Sequence, residues 1–211
     1  FSSRPPSAAI FACVIGVGLT YGKILAALNE GNTIMETVLQ FWFNEISPQQ
    51  WWIKDEAFDQ LISKRFAPTL QQAAAGELYL WRQTAQGRLA EIIVLDQFSR
   101  NIYRDTAKAF AQDAVALVLA QEAVASGALL QLNADERNFL LMPYMHSESA
   151  AIHQQAELLF KQYAPDNNYQ FELKHKAIID RFGRYPHRNM ILGRSSTTEE
   201  IEFLKQPGSG F

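Results

Sequence analysis

The sequence predicts an all-α protein of about eight helices, stacked as antiparallel hairpins. Apolar residues recur at helical spacing nearly everywhere from Met35 onward. No stretch alternates with the two-residue period of a strand, and no Asn-Gly hairpin turn occurs. Glycine and proline divide the helical pattern into segments with short connections, which favour antiparallel neighbours. No repeat of 34 residues is evident, so the sequence does not predict a regular solenoid.

The first half of the chain predicts three helices. Asp55 is expected to cap a helix that Pro68 bends and Gly76 ends. Thr84 opens the next helix, which runs from Leu89 to Arg100. The three apolar stripes are Val38, Leu39, Trp42 and Phe43; Phe58, Leu61, Ile62 and Phe66; and Ile92, Ile93 and Leu95.

The second half predicts a long helix from about Lys108 to Ser126, followed by a helix that Pro143 stops. Another helix is expected from Ser147 to about Tyr163, and one from residue 168 or 169 through Phe182. Thr197 and Glu200 have the spacing of a capping box for a last short helix.

Composition places the chain among ordinary globular domains. It has 211 residues, 48% of them hydrophobic and 19% charged, with a formal net charge of -3. That slight acidity argues against nucleic-acid binding, and no apolar run is long enough for a membrane span. The single cysteine, Cys13, excludes an intramolecular disulfide and is typical of a reducing, cytoplasmic location.

Residues 1–34 differ in character from the rest. The first methionine is Met35, and an apolar run from Ala8 to Leu19 behind Arg4 resembles the core of a signal peptide. The alternative is upstream sequence that precedes the true start of translation. No small-x-small cleavage site precedes Met35, so we expect residues 1–34 to be extraneous and residues 35–211 to form a single domain.

The stretch from His175 to Glu200 is the strongest candidate for a functional site. It sets four of the eleven arginines within fourteen residues, and Gly183, Pro186 and Gly193 interrupt the helix between them. Such breaks let several basic side chains converge, so the segment predicts an anion-binding site. The acid–base candidates here are His175, His187 and Asp180; the ligand-binding candidates are Arg181, Arg184, Arg188, Asn189, Arg194 and Ser195.

Two further segments carry polar candidates. Asp96, Arg100, Asn101 and Arg104 fit either one wall of a pocket or a salt-bridged helix end. After Pro143, His146 and Glu148 are expected at a helix start, where the helix dipole lowers the pKa of a histidine. His146 is therefore a further acid–base candidate, and Glu148 a ligand-binding one.

The adjacent residues Trp51 and Trp52 cannot both point inward from one helix, so one of them is expected to line a groove or cover a ligand. The histidine spacing matches no metal-ligand pattern, and neither a nucleophile elbow nor a phosphate loop occurs. We therefore predict no metal and no cofactor.

Several linked motifs resemble a bacterial family known as "domain of unknown function 924". They are FWF at 41–43, WW at 51–52, DQFSRNIYR at 96–104, PYMHSE at 143–148 and HKAIIDRFGRYPHRNMILGRSST at 175–197. The resemblance covers about Met35 to Phe211 and implies an all-helical, tetratricopeptide-like fold. It implies no activity, so no catalytic roles follow from it.

Three hypotheses remain open. The first is an enzyme or binder of a small phosphorylated or carboxylated molecule, with an arginine clamp (Arg184, Arg188 and either Arg100 or Arg104) and a histidine that carries protons. The second is a tetratricopeptide-like module that binds a peptide or protein at its tryptophans and arginines. In the third, the charged groups only hold one another in place.

Overall fold

The computed structural model describes residues 31 and 33–210, and this part of the chain is helical without strands. The predicted all-α fold is confirmed. Cys13, the apolar run behind Arg4 and nearly all of the segment predicted to be extraneous lie outside the described residues. The helices are α1 (33–40), α2 (Glu56–Ala74), α3 (Ala85–Ile93), α4 (Ser99–Ile102), α5 (Asp113–Ala125), α6 (Ala134–Met145), α7 (Ala150–Tyr163), α8 (Asp166–Phe182) and α9 (Thr198–Leu204).

Capping residues begin several helices where the sequence predicts them. The Asp55 carboxylate accepts hydrogen bonds from two backbone N–H groups at the start of α2. The Thr84 hydroxyl accepts one from Gly87 at the start of α3. Thr197 and Glu200 form the predicted capping box of α9. These bonds satisfy N–H groups that a helix start otherwise leaves unpaired.

The region around Pro143 differs from the sequence expectation. Helix α6 contains Pro143 and continues to Met145, and α7 starts at Ala150 rather than at Ser147. Proline removes one helical hydrogen bond, but the last turn of α6 is buried in the core, which offsets that loss. His146 therefore follows the end of a helix instead of beginning one, so its expected position at a positive helix end was wrong.

Other helix boundaries also differ from those predicted from the sequence. The start of the helix predicted from about Lys108 to Ser126 is a separate 3₁₀ turn, Ala107–Phe110, and α5 begins only at Asp113. Helix α8 begins at Asp166, whereas residue 168 or 169 was expected. The stripe on α2 is correct except for Leu61, whose surface is 42% exposed. With a turn of about 100° per residue, Leu61 is rotated about 60° around the helix axis from Phe58 in one direction. Ile62 and Phe66 are rotated from Phe58 in the other direction, toward the core.

Two π-helical turns of five residues interrupt the regular geometry. One follows α1 at Phe41–Glu45, and the other joins α3 to α4 at Val94–Phe98. The second turn is buried throughout and faces the core between α2, α3 and α5. Turns of this kind widen the helix and often occur at functional sites. Here the turn places a carboxylate, Asp96, inside the protein.

Packing of successive helices builds the core. Helix α5 packs against α6, α6 against α7, and α7 against α8, while α3 contacts both α5 and α6. Tyr185 belongs to a smaller apolar cluster with Ile178 and Ile179 of α8, bordered by Phe182 and Phe203. None of the helices in the described ranges is long and apolar enough to cross a bilayer. The end of α6 contacts the segment after α8 through Met145 and Tyr185, and it contacts the buried π turn through His146 and Asp96.

Candidate functional site

Asp96 stands at the centre of the candidate site. Its side chain is fully buried in the π turn between α3 and α4. Oδ1 lies 2.7 Å from Nδ1 of His146, at the end of α6, and Oδ2 accepts a hydrogen bond from Gln97. A buried carboxylate requires such partners, because burial without them penalises its charge.

Arg100 continues the network from Asp96 to α5. Its Nη1 donates to the backbone carbonyl of Asp96 at 2.9 Å and lies 3.1 Å from the Asp96 carboxylate. Nη1 and Nη2 also donate to the two carboxylate oxygens of Asp113, at 3.0 and 3.1 Å. Arg100 is therefore paired with two carboxylates at once.

Arg188 reaches the same Asp113 from the segment after α8. The residue is 6% exposed, and its Cζ lies 4.6 Å from the ring centroids of both Phe110 and Tyr185. Nη1 donates to Asp113 at 3.3 Å, whereas Nε is buried and has no hydrogen-bond partner among the described residues. Burial and then Arg100 lower the pKa of Arg188, so this cation has less compensation than its neighbour.

We call these five residues, Asp96, Arg100, Asp113, His146 and Arg188, the arginine–histidine cluster. Burial opposes the charge of Asp96, but Arg100 and His146 outweigh it and hold the pKa of the carboxyl below its usual range. Burial and then Arg100 lower the pKa of His146. An ionised Asp96 beside a neutral imidazole requires the proton on Nδ1, leaving the Nε2 lone pair to accept a proton. No described residue hydrogen-bonds to that Nε2.

Two side chains form hydrogen bonds with the backbone carbonyls on either side of His146. The Tyr185 hydroxyl donates to the carbonyl of Met145 at 2.5 Å, and Nε2 of His153 lies 2.8 Å from the carbonyl of Ser147. Nδ1 of His153 lies 2.7 Å from the buried Glu172, whose pKa burial raises. These contacts tie α7 and α8 to the bend that carries His146, which fixes where its ring lies.

Glu148 and Arg194 hold the loop that carries Arg188. The two side chains form a bidentate pair at 2.6 and 2.9 Å, and Glu148 also accepts from the backbone N–H of Tyr185 at 2.7 Å. Burial raises the pKa of Glu148, but hydrogen bonds from Arg194 and Tyr185 outweigh it and lower that pKa. The fully buried Asn189 accepts from Nε of Arg194 and donates to Ser196. These three predicted ligand-binding residues thus bind one another and shape the loop.

His175 and His187 lie beside the cluster, against the ring of Tyr185 at 5.7 and 5.5 Å. Nδ1 of His175 lies 2.8 Å from the carbonyl of Phe171, to which it donates. Burial lowers the pKa of His175 to about 3, while burial and Arg188 lower that of His187 to about 4. Both rings are therefore neutral near pH 7.

Several predicted site residues lie outside the cluster. Arg184 forms a bidentate pair with Glu200 and also donates to the Ser195 carbonyl, and Arg181 donates to Glu199. These contacts attach α9 to the end of α8, and Ser195 itself is exposed. The remaining pairs are Asn101 and Arg104 with Asp59 of α2, and Asp180 with Lys176 on the surface of α8.

The two adjacent tryptophans differ in exposure. Trp51 is half-buried and donates from Nε1 to the carbonyl of Trp42 at 2.9 Å. Trp52 is 57% exposed and stacks on Phe139, with 12° between the ring planes. Both tryptophans contact Phe139, and neither has a hydrogen bond or ring contact with a residue of the cluster.

Sequence reasoning missed Asp113, a member of the cluster, and also Phe110 and Tyr185, whose rings lie against Arg188. Asp113 and Phe110 fell inside a helix that was expected to run from Lys108 without interruption. Tyr185 lies between Arg184 and Arg188, inside the segment already singled out, and this position was the available signal. For Asp113 and Phe110 the sequence carried no comparable signal.

Two surface pockets have volumes of about 270 and 320 Å³, and neither is lined by a residue of the cluster. The first is lined mainly by α2, Ser99, Tyr103 and Lys108, and the second by α1 and the turn after it. Within residues 31 and 33–210, no three His, Cys, Asp or Glu side chains are grouped so that they could hold a metal ion.

These features define an all-helical protein with a buried arginine–histidine cluster between the end of α6 and the segment after α8. The chain belongs to the family described as bacterial protein of unknown function, DUF924, whose model matches residues 38–208. It is similar in structure to a protein of unknown function from Agrobacterium tumefaciens, with a TM-score of 0.79 and 36% sequence identity. That similarity covers 82% of this chain and 98% of the other. No curated protein matches the chain.

Proposed function

We propose that the arginine–histidine cluster binds a small carboxylated or phosphorylated molecule through Arg188, and that His146 then transfers a proton to or from it. The observation that carries the proposal is the state of Arg188. This guanidinium is almost fully buried, yet it donates a single hydrogen bond of 3.3 Å to the rest of the described chain. Because a buried donor without a partner is costly, such an arginine is suited to an anionic ligand.

The acid–base part of the proposal depends on Asp96 and His146. A carboxylate that holds Nδ1–H orients the imidazole and leaves Nε2 as the base. His146 is the stronger candidate among the predicted acid–base residues. Nδ1 of His175 donates to a backbone carbonyl, that of Phe171, rather than to a carboxylate, and Asp180 is exposed and pairs with Lys176.

The test begins with thermal unfolding of the full chain in acetate, pyruvate, succinate, phosphate and glycerol 3-phosphate. A ligand at a hundred times its Kd adds about 2.7 kcal/mol of stability, which raises the midpoint of a domain this size by roughly 5–10 °C. We expect one class of anion to do this, and Arg188→Lys to abolish the effect. If no anion raises the midpoint, the binding proposal fails.

Proton transfer is tested on whichever probe binds. Its ¹H NMR spectrum is followed in D₂O with the protein, so that both chemical conversion and exchange of carbon-bound protons are visible. We expect His146→Gln to bind the probe and to lose the conversion or exchange. Binding without any change of the probe in the unmodified protein would restrict the function to binding.

A second candidate function is a peptide-binding surface at Trp52. More than half of Trp52 and of its neighbour Ile53 is exposed, an unusual arrangement for two large apolar side chains. A peptide that binds there would quench the fluorescence of Trp52, and Trp52→Ala would remove that signal. The cluster carries the first proposal independently of this surface.

A further inference from the structure

Given the proposed binding at Arg188, on which this inference rests, the geometry of the cluster also indicates the class of anion that it binds. Arginines of this chain bind carboxylates repeatedly through one edge of the guanidinium, the edge formed by Nε and Nη2. In Arg82 these two atoms donate to Glu91 at 2.7 and 2.6 Å. In Arg184 they donate to Glu200 at 2.7 and 2.8 Å. The two parallel N–H bonds match the two oxygens of a carboxylate in one plane.

Arg188 donates from Nη1, on the opposite side of its guanidinium from the Nε–Nη2 edge. Only Nη1 is engaged, with Asp113, while neither Nε nor Nη2 donates to a residue in the described part of the chain. The Nε–Nη2 edge therefore retains the pair of donors that holds a carboxylate in Arg82 and Arg184. Seven per cent of the Arg188 side chain remains accessible to solvent.

The surroundings favour a planar anion over a tetrahedral one. The rings of Phe110 and Tyr185 both lie against the guanidinium and offer no hydrogen-bond donors from their carbon edges. A carboxylate satisfies both of its oxygens on the Nε–Nη2 edge. A phosphate bound through two oxygens would have two more oxygens to bring out of water beside these apolar surfaces, at a desolvation cost.

Charge balance favours a monoanion. Arg100, Arg188 and Arg194 carry three positive charges in this region, and Asp96, Asp113 and Glu148 carry three negative ones. A monocarboxylate leaves the region with a net charge of about -1, whereas a phosphate dianion adds nearly twice that beside Asp113. Burial and then Arg100 lower the pKa of Arg188, and one further negative charge beside the guanidinium would oppose both effects.

We infer that the ligand of the cluster is a monocarboxylate, held in the plane of Arg188 by hydrogen bonds from Nε and Nη2. A small molecule with one carboxylate, or with a carboxylate at one end of an otherwise uncharged body, meets both requirements.

The experiment observes the Nε–Hε group of Arg188 directly in ¹⁵N-labelled protein. Its cross-peak is assigned through bonds, so the assignment does not depend on whether a variant folds. Acetate, propanoate, phosphate and methyl phosphate are titrated at constant ionic strength. We expect acetate and propanoate to shift this cross-peak downfield with saturation, and phosphate to bind at least about tenfold more weakly, a difference of about 1.4 kcal/mol.

Arg188→Lys keeps the positive charge but removes the edge, and we expect it to abolish carboxylate binding. Arg181→Lys is the matched control, because Arg181 is an exposed arginine of the same segment that binds Glu199; its affinity for acetate should be unchanged. Tighter binding of phosphate, lost in Arg188→Lys, would overturn the inference and leave the proposed function intact. No saturable shift with any of the four anions would overturn both.

Discussion

Nδ1 of His146 lies 2.7 Å from Oδ1 of Asp96, although fifty residues separate the two in sequence. The contact joins the end of α6 to the π turn between α3 and α4. It also determines which imidazole nitrogen carries the proton, because the ionised Asp96 can only accept. The same carboxylate lies 3.1 Å from Arg100, so one buried group orients both the proposed base and a cation of the cluster.

Asp96→Asn is expected to destabilise the protein by about 3–5 kcal/mol, since it leaves a buried cation with incomplete compensation. Urea unfolding followed by circular dichroism measures the change. Asp105→Asn is the control: Asp105 pairs with Lys54 on the surface, both side chains are 67% exposed, and asparagine accepts its positive φ of 59°. This exposed pair should contribute less than about 1 kcal/mol. Equal losses in the two variants would contradict the role assigned to Asp96.

Stability is expected to fall as the pH decreases from about 6.5 to 5, because of the buried histidines. Folded His175 and His187 have pKa values of about 3 and 4, below the ordinary value of 6.5. The unfolded chain therefore takes up protons in this range while both folded rings stay neutral. Each such histidine contributes at most about 1.4 kcal/mol per pH unit.

Urea unfolding at intervals of 0.5 pH units measures that slope. Carboxylates titrate mainly below this window, so they interfere little. His175→Gln should reduce the slope, and a flat profile in the unmodified protein would show that these rings are not held neutral.

Gly87→Ala is expected to destabilise the protein by about 1–3 kcal/mol, although alanine is the better helix former. A Cβ at this position would lie 1.9 Å from the carbonyl oxygen of Trp81, and backbone must move to make room. Thermal unfolding measures the difference. Gln86→Ala, at the exposed neighbouring position of the same helix, should change stability by less than about 0.5 kcal/mol.

Ile62→Ala is expected to cost about 2–5 kcal/mol, because Ile62 is fully buried on the core side of α2. Leu61→Ala should cost under about 1 kcal/mol, since Leu61 is 42% exposed beside it. Chemical unfolding of the two variants provides the comparison. A larger loss at Leu61 than at Ile62 would mean that α2 is rotated relative to the structure described.

The sequence predicted the elements that depend on neighbours within a few residues. Asp55, Thr84 and the pair Thr197–Glu200 cap helices as expected, because a cap is a local contact between a side chain and the next turn. The rule failed at Pro143, where burial of the last turn of α6 outweighs the hydrogen bond that proline removes. That failure also placed His146 at the wrong end of a helix.

The candidate site was predictable only in part. The arginine-rich segment after α8 does supply Arg188, and the polar stretches elsewhere supply Asp96, Arg100 and His146. The four arginines of this segment have different partners, however, and their spacing does not reveal which partner each one has. Arg184 binds Glu200 sixteen residues later, whereas Arg188 reaches Asp113 seventy-five residues earlier.

By itself, then, the sequence determined the helical fold, the caps and the family to which the chain belongs, because periodicity, capping chemistry and linked motifs are readable along the chain. Only the tertiary structure decided that Arg188 is buried with an Nε that donates to no described residue, and that His146 meets the buried Asp96. Those properties depend on contacts between α5, the π turn, the end of α6 and the segment after α8, and such contacts form only when distant parts of the chain pack together.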